Sequence, residues 1–360
     1  MEELNLVLTE ISGGRPYEVQ AKSIEPVGVD WKAVREWIEH CTANHSSCVE
    51  PSGRAHIPGF KVIDCKTGVV GPLLDNRAPY VALSYVWGQT QGVYSDYPQT
   101  INDSMEAVLA LGLRYLWVDR VCIDQEDDIH KQTQIAMMGQ IYLGAYLTIV
   151  SCSDDAEQGL PGVHKLARSL RPQLWLGDRK LEPLYPPVYS IIRSRWITRG
   201  WTFQEYFFSR RKLFFTEEGV VLWCASMYYE EGVSRTLPNV DDDMQRIFVP
   251  DLLSSAMPTK ALAGRTFHFA DLIREYTKRD ITFEHDALNA CLGILNHLGF
   301  KHLWGVPVYD EPLSFGLCWR FRSGGGRERK DFPSWSWTSR RATANFDVNM
   351  KKKLIKETKM

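Results

Sequence analysis

The sequence predicts an α/β protein: an open, mostly parallel sheet with flanking helices, followed by a mainly helical C-terminal extension. Three observations predict it. The runs Tyr80–Val86, Tyr115–Ile123 and Tyr146–Val150 are almost continuously apolar, as strands buried on both faces are. The segments between them carry apolar residues at helical spacing. Strand, helix, strand in this order implies parallel crossovers.

The totals agree with that class. At 360 residues the chain holds one large domain or two ordinary ones. A hydrophobic content of 44% with 24% charged residues is that of a globular protein. A net charge of -2 removes any bulk electrostatic argument for nucleic acid or for a membrane surface. No window approaches the ~20 apolar residues of a membrane span. The opening MEELNLVLTEISGG has no apolar core of a signal peptide. The eight cysteines follow no disulfide framework, so free thiols and a cytoplasmic location are expected.

Residues 1–75 are expected to form a helical and extended flank on the core. Asp30 is a good N-cap, and Trp31, Val34, Ile38 and Cys41 follow at helical spacing. That helix runs into a cluster of Cys41 and Cys48 with one or two histidines, His40 and His45, which invites a zinc reading. Zinc wants a fourth ligand, and Cys65 and His56 are the candidates. Neither sits in a recognisable knuckle, so a buried, non-ligating cluster fixing the helix end is the expectation, with no cofactor.

The core domain is expected over 76–225. After the first buried strand comes a polar loop, Gln89–Gln99, then a helix capped near Asn102 or Asp103 and closed by Gly112. Beyond the second strand, Ile135, Met138, Tyr142 and Ala145 mark one helix face. Residues 154–190 read as an irregular, Gly-, Pro- and Arg-rich insertion. A helix from about Arg195 to Ser209 and a hairpin, Lys212–Thr216 with Val220–Cys224, follow. Residues 225–260, with Asp241–Asp243, read as a linker or lid. The extension 226–340 holds helices over Phe269–Lys278 and near Asp286–Leu298, and Pro333–Trp337 is a compact aromatic segment. Gly324–Gly326 lacks the ending of a phosphate loop and reads as a flexible loop. The basic tail 341–360 is expected to be disordered.

Ligands of open parallel sheets bind beyond the strands' carboxyl ends. Those ends are Trp87–Gly88, Cys122–Asp124 and Ser151–Asp154. A second stretch of interest is Arg199–Glu205. Trp201 and Glu205 share a helix face, and aromatic neighbours would desolvate the carboxyl, raising its pKa and strengthening its field. The alternative is a solvated Glu on an amphipathic helix. No Ser-His-Asp arrangement can be defended from spacing. Cys122, beside two acids, is a poor nucleophile.

Three ordered blocks resemble the HET (heterokaryon incompatibility) domain of filamentous fungi. They are Tyr80-Val-Ala-Leu-Ser-Tyr-Val-Trp-Gly88; Leu116-Trp-Val-Asp119 with Cys122-Ile-Asp-Gln125 and the Gln134–Ala145 segment; and Arg199-Gly-Trp-Thr-Phe-Gln-Glu205. Flanks around Cys41–Cys48, Thr282–Ile294 and Pro333–Trp337 extend the resemblance over most of the chain. The resemblance implies a distantly TIR-like core, in a family tied to non-self recognition and programmed cell death. Several TIR domains cleave NAD+ with one glutamate on the helix after the third strand, and Glu205 lies on that helix here. On this reading Glu205 is catalytic. Ser84, Tyr85, Trp87, Gly88, Asp119, Arg120, Cys122, Asp124, Arg199 and Trp201 would hold NAD+, with Trp87, Trp201 or Tyr85 stacking and Arg120 or Arg199 on the pyrophosphate. Glu205 would line a cleft with Trp87 or Tyr85. Ser84 and Tyr85 also read as the end of a strand, and Asp124 as a helix cap. The partners implied are a second copy or another incompatibility protein. Two function classes stay open: an NAD+-cleaving enzyme switched on by self-association, and a non-catalytic death-signalling module.

Overall fold

The computed structural model describes residues 19–21, 24–49, 55–88, 97–164, 166–169, 174–176, 179–181, 187–235, 269–308, 316–321 and 326–346. The leader before residue 19, loop positions 89–96, Asp241–Asp243, Gly324 and the basic tail beyond 346 lie outside them. The chain forms two compact units. One comprises Met1–Gln125, Gly144–Trp196 and Ser209–Pro250; the other comprises Glu126–Leu143, Ile197–Phe208 and Asp251–Met360.

In chain order the first unit begins with β1 (Val19–Ala21) and α1 (Trp31–Asn44). Asp30 caps α1 as expected, its carboxylate accepting from the Ala33 N–H at 3.0 Å. Val34, Ile38 and Cys41 are the buried stripe. Then come β2 (Lys61–Asp64), β3 (Val69–Pro72), β4 (Tyr80–Ser84), α2 (Gln99–Ala110), β5 (Tyr115–Trp117) and α3 (Asp119–Cys122). After α4 (Asp128–Ala136) and α5 (Met138–Gly144) follow β6 (Leu147–Ser151) and a hairpin, β7 (Leu174–Leu176) with β8 (Arg179–Leu181). Next are α6 (Val188–Arg193), α7 (Arg195–Thr198) and α8 (Gly200–Phe208). The strands β9 (Arg211–Thr216), β10 (Gly219–Cys224), β11 (Tyr228–Glu230) and β12 (Val233–Arg235) complete this stretch.

Eight strands form one sheet in the order β11-β10-β9-β6-β4-β5-β2-β3. Its centre, β9-β6-β4-β5, is parallel. Antiparallel strands widen it at both edges. The α/β expectation therefore holds, with the parallel part confined to the middle. All residues of β4, β6, β9 and β10 are buried. Each large apolar side chain among them, such as Leu83, Ile149 and Phe214, gains about 1.5–3 kcal/mol from burial.

Several boundaries differ from the expectation. The run Tyr115–Ile123 is strand only to Trp117. The chain then turns into α3, where the Cys122 N–H donates to the Val118 carbonyl at 2.7 Å. Asp103 does not cap α2. The helix starts at Gln99, and the buried Asp103 carboxylate accepts from Gln99 Nε2 at 2.6 Å and from the Leu160 N–H at 2.8 Å. Asp127 rather than Asp124 caps α4, accepting from the Ile129 and His130 N–H groups. The predicted single helix through Ile135 and Tyr142 is two, broken at Met137. The insertion carries the β7–β8 hairpin. Tyr228–Glu230, assigned to a linker, is a strand of the sheet.

The second unit contains α4, most of α5, α8, α9 (Phe269–Tyr276) and α10 (Asn289–His297). Helix α8 is buried at every position except Trp201. Gln204 Oε1 accepts from the Gly293 N–H of α10 at 3.0 Å. The rings of Phe207 and Phe208 pack edge-on against His297. Gly200 opens α8 because nothing larger fits: a Cβ there would lie 2.0 Å from Ile281 Cδ1. Trp337, in Pro333–Trp337, is buried against Tyr276 and donates to the Gly305 carbonyl at 2.6 Å.

Candidate functional site

Strand β4 lies between β5 and β6, so the chain leaves it first to one side and then to the other. The carboxyl end of β4 is thus the switch point at which open α/β sheets bind ligands. Five residues meet there. The Trp87 indole Nε1 donates to both carboxylate oxygens of Asp119, at 3.1 and 3.0 Å. Asp119 stands at the first position of α3 and also accepts from the Arg120 N–H at 2.7 Å. The Arg120 guanidinium lies 5.5 Å from the centre of the Trp87 ring. Gly88 follows with φ +77°, and the Asp155 carboxylate packs so close that a Cβ would lie 2.6 Å from Oδ2. The early end of β5 at Trp117 and the start of α3, not a longer strand, turn Asp119 and Arg120 towards Trp87. Asp155 was missed by sequence reading, and its acidic turn was the only signal.

The remaining expected residues of this unit have defined surroundings. Ser84 is fully inside the core, where its hydroxyl accepts from Trp196 Nε1 at 2.6 Å. Tyr85 is buried as well. Cys122 is buried and accepts from the Val118 N–H at 3.3 Å. Burial, more than Asp119, pushes its thiol up to about 12, so it carries no nucleophile at neutral pH. Asp124 is exposed and sits 3.9 Å from Lys61.

Arg199, Trp201 and Glu205 belong to the second unit. Trp201 Nε1 donates to Asp286 Oδ2 at 3.2 Å, and burial raises the Asp286 carboxyl's pKa. The Arg199 carbonyl accepts from Arg279 Nη1 at 3.2 Å and from the Thr202 hydroxyl at 2.8 Å. Glu205 is 6% exposed, so the solvated-surface alternative does not apply. Burial lowers the Arg279 pKa to about 9, against the opposing fields of Glu275, two tyrosines and Glu205. Arg279 also lines a pocket of about 230 Å³ together with Asp280, Arg329, Trp337 and Arg341. No motif marks that pocket in the sequence. Its arginines come from segments far apart in the chain.

The fourth neighbour of Cys41, His45 and Cys48 is neither Cys65 nor His56. It is Cys224, at the end of β10.

Residues 80–205 match the model of the family described as heterokaryon incompatibility protein (HET). The chain is also similar to heterokaryon incompatibility protein 6, OR allele, of Neurospora crassa. The identity is 26% over 281 aligned residues, covering 60% of this chain and 40% of that protein. The match thus spans 40% of the length of that curated relative. No solved structure matches the chain. Among the described residues, no helix is long and apolar enough to cross a membrane.

Proposed function

We propose that this chain, which carries a HET domain over residues 80–205, acts in fungal heterokaryon incompatibility and does so by cleaving NAD+, with Glu205 as the acting carboxylate. The family match and the name of the Neurospora relative support the biological role. The observation that supports dinucleotide binding is the Trp87–Asp119–Arg120 cluster at the sheet's switch point, while the role of Glu205 rests on the resemblance of the Arg199–Glu205 block. An aromatic face, a carboxylate and a guanidinium at that position are the groups a dinucleotide needs: a stacking surface, a hydroxyl acceptor and a phosphate donor.

Cleavage of the nicotinamide–ribose bond asks little of the protein. Nicotinamide leaves as a neutral molecule, so no general acid has to protonate it, unlike an ordinary glycoside with its two carboxyl groups. The bond breaks with its electron pair going to the pyridine nitrogen, and water adds to the ribose carbon and gives up a proton. One carboxylate with a strong field suffices to stabilise the oxocarbenium-like ribose. Glu205, only 6% exposed, has little water to weaken that field. Self-association or a second incompatibility protein would supply the trigger.

A second reading is a non-catalytic signalling module. It is favoured by Arg279, whose buried guanidinium donates to the Arg199 carbonyl and to the Thr202 hydroxyl at the start of α8, a structural role beside Glu205. Nicotinamide release by the purified chain, fused to an oligomer-forming scaffold, separates the two. Release above the scaffold alone supports the enzyme, and none supports the module.

A further inference from the structure

The strongest constellation outside the strand-end cluster is Cys41, His45, Cys48 and Cys224. One ligand atom from each, three thiols and one imidazole nitrogen, lies within 4.8 Å of all the others. Three of the four residues are buried and His45 is half-buried. We propose that these four residues hold a structural zinc ion that fastens the N-terminal helix to the last long strand of the sheet.

The local chain explains why they converge. Cys41 lies in the last turn of α1, on its buried stripe. His45 leaves the helix in an extended conformation, with φ -113° and ψ 94°, so its ring swings back over that turn. A single 3-10 turn, Ser46–Cys48, then returns Cys48 to the same spot. Cys224 ends β10, and the His45 Nδ1 lies 3.4 Å from its sulfur. With metal–sulfur and metal–nitrogen bonds of about 2.3 and 2.0 Å, the edges of a tetrahedral site are about 3.5–3.8 Å. The cluster is within a small adjustment of that shape.

Its surroundings are those of thiolates rather than of packed thiols. The backbone N–H groups of Ser226 and Met227 both point at Cys224 Sγ, at 3.4 and 3.1 Å. Such paired N–H donors at a turn after a cysteine stabilise sulfur that carries negative charge. Arg211, a fully buried guanidinium, donates from Nε to Cys41 Sγ at 3.2 Å. Its other nitrogens are fixed on the Tyr146 carbonyl and the Thr42 hydroxyl, both at 3.1 Å. Three thiolates with one divalent cation leave a single negative charge, which Arg211 balances. This is the outer support that orients metal ligands. Three sulfurs and one nitrogen in a closed tetrahedron suit zinc, with no open position for catalysis.

The test is metal analysis of the purified chain, followed by cobalt titration of the metal-stripped protein. The expectation is about one zinc per chain and, with cobalt, the sulfur-to-metal charge-transfer and tetrahedral d–d bands of a thiolate site. Cys224→Ser should reduce bound metal severalfold or abolish it, while Cys65→Ser, outside the cluster, should keep it. Should Cys224→Ser fail to fold, the wild-type cobalt spectrum decides alone. A folded wild-type chain with no zinc and no thiolate spectrum overturns the proposal. So does a loss of two titratable thiols without reductant, which marks a disulfide within the cluster, and so does full metal retention in a folded Cys224→Ser.

Discussion

Trp87 and Asp119, 32 positions apart in the chain, are joined by one indole N–H that reaches both oxygens of the carboxylate. The contact ties the carboxyl end of β4 to the first residue of α3, the two edges of the sheet's switch point. It fixes the carboxylate and leaves the indole face to Arg120. Trp87→Phe keeps the ring and removes the donor. We expect a loss of about 1.5–3 kcal/mol in urea denaturation, the ordinary worth of a hydrogen bond to a charged group. An unchanged midpoint would mean that water replaces the indole without cost.

Ser84 has a structural partner. Its hydroxyl is the acceptor for the buried Trp196 indole. Ser84→Ala strands that N–H in the core, and the cost expected is about 1–3 kcal/mol. Ser84→Ala with Trp196→Phe removes both partners and should recover part of the loss. A double variant no more stable than the single one would contradict this account.

Gly200→Ala tests the packing at the start of α8. The added methyl meets Ile281 Cδ1, and overpacking of this kind costs about 1–3 kcal/mol. Helix propensity alone would have it stabilise by about 1 kcal/mol, so the two effects differ in sign. Thermal melting reads the difference. Ile281→Ala in the same chain makes room and should turn the alanine's effect favourable.

What the sequence made legible follows from these contacts. β4 and β6 could be read because central parallel strands are apolar at every position. The same reasoning ran too far after Trp117, since Val118, Val121 and Cys122 are as apolar in a helical turn as in a strand. Asp103 and Asp124 were read as caps on residue type alone. Asp103 instead serves Leu160, 57 positions away. The place of Cys224 was invisible for a like reason: it stands 179 positions from His45, and only the return of β10 beside α1 brings them together. Glu205 was legible as a carboxylate among aromatics, but the choice between a desolvated and a solvated side chain was not, because α8 is buried at every position except Trp201 rather than on one face.

His302 gives a pH dependence. Its ring is half-buried, burial lowers its pKa from 6.5, and Nδ1 accepts from the Gly305 N–H at 3.3 Å, which only a bare nitrogen can do. On acidification the unfolded imidazole takes its proton first. The stability this group contributes is therefore complete above pH 6.5 and declines as the pH falls below that value towards the folded-state pKa. Denaturation curves should show an acid-side decline that is shallower in His302→Gln. Parallel declines in the two proteins would rule His302 out.

The most direct measurement is nicotinamide release from NAD+ by the oligomer-forming fusion, wild type beside Glu205→Gln, with folding of both checked by circular dichroism. Loss of the carboxylate's charge at the oxocarbenium-like centre should lower turnover by about a hundredfold or more at unchanged fold. Equal turnover in the two proteins, or none in the wild type, would contradict the proposal that Glu205 cleaves NAD+.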